Sequence, residues 1–106
     1  MNQNTICLVL CTAPDNATAQ RIAQGLIENR LAACVNVFDD VTSVYRWEGK
    51  VEQCNESQLL IKTQHEQLDE AAKLVSQLHP YDVPEWVVLD GRASPSYLNW
   101  MRSSLT

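Results

Sequence analysis

VTSVYRWEGKVEQCNESQLLIKT, residues 41–63, holds two β-rich runs on either side of a compact turn, Glu48-Gly49-Lys50. The first run, VTSVYRW (41–47), is rich in β-branched and aromatic residues, and VEQCNESQLLIKT (51–63) runs back beside it. The segment reads as one long β-hairpin. Upstream, LAACVNVF (31–38) has strand character too, and Asp39-Asp40 marks a kink or bulge where it meets the hairpin.

Outward from the hairpin, each side supplies a helix and a strand. ICLVLCTA (6–13) is an almost wholly apolar run of the kind found in a central buried strand. Pro14 and Asp15 stop it and open a helix over about 15–30, in which Ala19, Ile22, Ala23, Leu26 and Ile27 recur at helical spacing. Gly25 sits inside that helix at a cost of ~1 kcal/mol relative to alanine. After the hairpin, Thr63-Gln64-His65-Glu66 fits a capping box, and Leu68, Ala71, Ala72, Val75 and Leu78 form the apolar stripe of a second helix ended by Pro80. EWVVLD (85–90) reads as a fourth strand, and Ser94-Pro95 opens a terminal helix. The order is β-α-β-β-α-β-α. Its first six elements predict an α+β, ferredoxin-like βαββαβ fold with a long hairpin between the second and third strands and a C-terminal helix.

That topology brings distant residues together. The first strand and the second helix both end at one edge of the sheet, so Cys11 and His79 become neighbours although 68 positions separate them. The Trp47–Lys50 turn reaches the same edge.

A chain of 106 residues is sized for a single domain, here 1–106. It buries only roughly two-thirds of its unfolded surface, so association with further copies is a natural source of stability. The net charge of -5 argues against general nucleic-acid binding and against a polybasic membrane-surface protein. No apolar stretch reaches the roughly 18 residues needed to span a bilayer. The N-terminal MNQNTICLVLCTAPD lacks a basic leader region, which points to the cytoplasm.

The four cysteines show neither a secreted disulfide framework nor a CxxC. Cys7 and Cys11 share one face of a strand but lie about 13 Å apart, too far to hold one ion together. Cys7 and Cys34 read as small buried hydrophobes, and Cys54 as a partly exposed free thiol. His65 reads as a solvated polar residue at a helix start. Tyr81, Asp82 and Glu85 read as the polar surface of a turn pinned by Pro80 and Pro84. Core packing is expected of Trp86 and Trp100, and interface packing of Tyr45 and Trp47. His79 by itself suits a helix C-terminus, where its cationic form meets the dipole.

The segments LVLCTAPDNATAQRIA, RLAACVNV, VTSVYRWEGKVEQ, LLIKT, LHPYDVPEWVVL and SYLNW, in this order, resemble the CutA divalent-cation-tolerance family over about residues 6–101. RLAACVN, YRWEGK and HPYDVPE are its most specific parts. The resemblance implies a ferredoxin-like homotrimer assembled through strands of the long hairpin and linked to tolerance of copper and other divalent metal ions. It also implies a copper site made from the cysteine before TAPD and two histidines before PY. Here those positions are Cys11, Leu78 and His79. Leu78 has no ligand atom, so the implied copper site is partial, with Cys11 and His79 as its metal ligands. A histidine at 78 is expected to complete it, provided the helix end turns that side chain toward the site.

Three functions follow as expectations. The first is a non-catalytic, trimeric metal-binding tolerance protein, since thiolate and imidazole suit copper. The second is a trimer whose clefts bind a small ligand or a partner protein, with metal incidental. The third, a thiol enzyme with Cys11 as nucleophile and His79 as base, lacks an orienting third residue and any cofactor motif.

Overall fold

The computed structural model describes residues 5–106; the first four residues of the segment read above for a leader lie outside it. The elements run β1 (Thr5–Ala13), α1 (Asn16–Glu28), β2 (Cys34–Trp47), β3 (Lys50–Thr63), a 3-10 turn (His65–Gln67), α2 (Leu68–Leu78), β4 (Val87–Arg92) and α3 (Pro95–Ser104). They form an antiparallel sheet in the order β2-β3-β1-β4, the ferredoxin-like arrangement expected from the element order.

The alternation along β1 organises two layers of packing. Val9, Cys11 and Ala13 point to one face and pack with Leu59 and Ile61 of β3, Ala19, Ile22 and Leu26 of α1, and Ala71 and Val75 of α2. Ile6 and Leu8 point to the other face, where Leu98 and Met101 of α3 cover them. Burying a side chain such as Ile22 or Leu26 stabilises the fold by about 1.5–3 kcal/mol. At Gly25 α1 meets side chains of α2 closely: a Cβ built there would lie 3.2 Å from Leu78 Cδ1. Its absence lets the second helix approach.

The hairpin extends well past the body of the sheet, giving dimensions of 45 × 24 × 23 Å. Glu48 and Gly49 both have positive φ, 50° and 80°, the conformation of a two-residue type I′ turn whose twist matches the strands. Asp40, at φ 60°, marks the expected bulge, and the β2–β3 register shifts between Phe38 and Val41. Among the described residues β1 pairs with β3 over residues 57–63, and β3 from Lys50 to Glu56 has no strand on that side. The outer edge of β2 is likewise unpaired among the described residues of the single chain.

Several local expectations are corrected. The second strand starts at Cys34 rather than 31, because Arg30 takes a positive φ of 56° and the chain turns after α1. The fourth strand is Val87–Arg92, shifted by two residues past the Pro84 corner. The capping box does not form: Thr63 ends β3 and donates its hydroxyl to the Leu31 carbonyl at 2.7 Å, and a 3-10 turn precedes α2. Trp100 is not in the core but 47% exposed, stacked at a tilt on Tyr97 with ring centres 5.3 Å apart. Asp15 and Ser94 cap α1 and α3 as their positions predict, accepting from the backbone N–H of Thr18 and Tyr97.

Candidate metal centre

α2 stops at Leu78 because Pro80 forbids a helical residue before it; His79 is accordingly extended, at φ -85° and ψ 135°. The break swings the His79 side chain across to the end of β1. Its Nε2 lies 2.6 Å from the carbonyl oxygen of Thr12, the residue after Cys11. Its Nδ1 accepts from the Tyr81 backbone N–H at 3.1 Å. Only a ring lone pair can meet that N–H, which assigns the proton to Nε2 and makes Nε2 the donor to Thr12. The imidazole is buried and bonded at both nitrogens.

Cys11 is completely buried on the helix-covered face of β1. Burial first, and the charge of Glu85 second, push its thiol up to about 12. Around this pair the corner is built from polar contacts. Gln58 donates to the Cys11 carbonyl at 3.0 Å and to Glu85 at 3.1 Å. Tyr81 donates its hydroxyl to Glu56 at 2.9 Å, and burial together with that bond raises the phenol to about 12. Tyr81 and Glu85 thus belong to a bonded network, beyond the plain turn surface expected of them. A cleft of about 530 Å³ opens beside it, lined by Thr12, Tyr45, Trp47, Tyr81, Val83 and the carboxylates of Glu56, Asp82 and Glu85. Its lining is aromatic and acidic.

Topology therefore brings His79 to the end of β1 that carries Cys11, and Trp47 of the hairpin lines the cleft beside it. Leu78 goes elsewhere. Its side chain packs into the α1–α2 contact beside Gly25, so a histidine there would face the core rather than Cys11.

At the other end of β1 the structure assembles a group that the sequence reading missed. Ligand atoms of Cys7, His65 and Asp90 all lie within 4.8 Å of one another. Cys7 is buried as expected, and burial, then the charges of Asp90 and Glu66, raise its thiol. His65, expected to be merely solvated, pairs with Asp90 at 3.1 Å. Counting the antiparallel register of the first and fourth strands, which sets Cys7 opposite Asp90, is the signal that would have found it.

Among the described residues no helix is long and apolar enough to cross a membrane. The family described as CutA1 divalent ion tolerance protein matches residues 7–104. The divalent-cation tolerance protein CutA of Pectobacterium atrosepticum is 45% identical over 109 residues, covering 99% of either chain. Among solved structures, the divalent cation tolerance protein of Thermus thermophilus superposes with a TM-score of 0.92 at 41% identity, covering 95% of this chain and 99% of that one. The CutA of Archaeoglobus fulgidus, named as periplasmic, does so with a TM-score of 0.92 at 33% identity, covering 95% and 99%. Matched in sequence and in fold along almost its whole length, this chain belongs to the CutA1 divalent ion tolerance family.

Proposed function

We propose that this chain is a non-catalytic, copper-binding tolerance protein that acts as a homotrimer of one-domain subunits and holds copper weakly at Cys11 and His79. The observation that carries the reading is the His79 ring set against the carbonyl that follows Cys11, at the edge of an acidic cleft. A thiol and an imidazole are a donor pair suited to copper, and acidic walls attract cations. The names of the relatives supply the link to metal tolerance. Binding is weak because His79 must give up a 2.6 Å hydrogen bond, Cys11 must lose a strongly held proton, and Leu78 adds no ligand.

The trimer rests on edges and aromatics. Unpaired strand edges on a projecting hairpin are templates for pairing with other chains. Phe38, Val44, Tyr45, Trp47 and Val51 are exposed along it. A closed three-fold ring would pair those edges and cover those side chains. All four cysteines are free, which fits a reducing compartment such as the cytoplasm. The suppressed Cys11 thiol is the opposite of an activated nucleophile and favours binding over catalysis.

Anaerobic titration with Cu(I) and with Cu(II) tests the site. The wild type is expected to bind about one copper per chain more than the Cys11→Ser, His79→Ala variant. Equal binding by both proteins overturns the copper site and favours the second reading, in which the cleft holds a small cationic ligand or a partner protein and metal is incidental. A sedimentation mass of one chain at micromolar concentration overturns the trimer.

A further inference from the structure

Cys7 lies four residues before Cys11 on β1, at the opposite end of the sheet from His79. It stands opposite Asp90 of β4 on one side and Thr63 of β3 on the other. Directly opposed residues of antiparallel strands project to the same face, so Cys7 and Asp90 share one. The chain leaving Thr63 turns at once into the 3-10 segment, which brings His65 to the same place. His65 Nε2 lies 3.1 Å from Asp90 Oδ1, and Cys7 Sγ is within 4.8 Å of both side chains' ligand atoms.

We propose that Cys7, His65 and Asp90 form a second metal site, distinct from Cys11 and His79, that takes a borderline divalent cation of the zinc type. Thiolate, imidazole and carboxylate are the donor types zinc uses, with bonds of about 2.0–2.3 Å. Two such nitrogen and oxygen ligands on one tetrahedral ion sit about 3.3 Å apart, close to the His65–Asp90 separation. The sulfur needs to close by up to about 1.3 Å to reach the roughly 3.5 Å of a tetrahedral sulfur–nitrogen pair. The side chains that must move are free to do so: His65 and Asp90 are 39% and 69% exposed.

The surroundings favour a cation over an apolar neighbour. Among the described residues Cys7 belongs to neither apolar cluster, although it has no exposed surface. Asp90 stands opposite Cys7 and Glu66 follows His65 in the chain, so the group carries carboxylate charge that a divalent ion would balance. Binding replaces the thiol proton, which leaves to solvent, with a sulfur–metal bond. Three protein ligands leave one position for Glu66 or for water, the open arrangement of an exchangeable site. Exposed His65 and Asp90 give the ion a route from solvent to the buried sulfur. The site does not depend on the copper reading, because no residue is shared.

Cobalt(II) added alone to the full chain is the probe, read by its thiolate charge-transfer absorption and its tetrahedral visible bands. One Co(II) per chain with a thiolate band, displaced by Zn(II), is expected. The band should vanish in Cys7→Ser and persist in Cys11→Ser, His79→Ala. His65→Ala and Asp90→Asn should weaken binding by no less than the roughly tenfold that loss of even an outer-shell partner costs. Absence of the band in the wild type, its survival in Cys7→Ser, or its loss in Cys11→Ser instead overturns the proposal. Should Cys7→Ser not fold, the surface variant His65→Ala decides alone: unchanged Co(II) affinity overturns the site, and the stated loss supports it.

Discussion

The imidazole of His79 bridges the end of β1 to the proline corner, donating to Thr12 at 2.6 Å and accepting from Tyr81 N–H at 3.1 Å. Removing it leaves two part-buried backbone groups, the Thr12 carbonyl and the Tyr81 N–H, without their shared partner. His79→Ala is therefore expected to destabilise the chain by about 1–3 kcal/mol even without metal, measured by urea unfolding. An unchanged midpoint would mean that the ring is not the strut this geometry makes it.

Leu78→His is expected to cost about 2 kcal/mol of stability by placing a polar ring in the α1–α2 contact, and to leave copper affinity unchanged. Thermal unfolding and copper titration of one protein sample read both quantities. Tighter copper binding would show that the end of α2 rotates more freely than its packing on Gly25 indicates.

The Cys11 thiol, pushed up to about 12, should resist alkylation near neutral pH. Its folded value lies above its ordinary 9.0, so the protonated form contributes stability that is full below pH 9 and is lost as pH rises toward 12. Labelling of a variant that keeps only this cysteine, followed against pH, checks it. Fast reaction near neutrality that disappears in His79→Ala would bring back the thiol-enzyme reading.

Tyr81 should be a late-titrating tyrosine. Its phenol, raised from 10.0 to about 12 by burial and then by the Glu56 carboxylate, favours the folded state below pH 10, and that contribution fades as pH passes 12. Ultraviolet titration should show a late component that Tyr81→Phe removes. Glu56→Gln should shift it back toward the ordinary value.

Trp47, 62% exposed near the hairpin tip, is expected to carry assembly rather than folding. Trp47→Asp should shift the sedimentation mass toward smaller species at micromolar concentration, with far-ultraviolet dichroism retained. The matching change Gln20→Asp, at an exposed position on α1, should leave the mass unaltered. Equal effects at both positions would remove the hairpin from the interface.

Strand and helix identity was legible because it depends on local patterning. The apolar run at 6–13, the 3.6-residue spacing after Asp15, the turn at Glu48-Gly49 and the stop at Pro80 each act within a few residues. Once the order of elements is known, few topologies remain, and one of them sends Cys11 and His79 to the same edge. The capping box failed for the opposite reason. Thr63 fits the local motif, but its hydroxyl meets the Leu31 carbonyl, a partner 32 residues away.

The βαββαβ order, the hairpin and the meeting of β1 with the end of α2 all follow from local patterning. Tertiary packing alone decided which atoms are available there. It turned Leu78 toward Gly25, used both nitrogens of His79, buried the Cys11 thiol and brought His65 and Asp90 to Cys7. Patterning fixes which face of an element is covered, because burial of apolar surface is non-directional. Hydrogen bonds and metal ligation depend on distance and angle between residues far apart in the chain, and those exist only once the elements have packed.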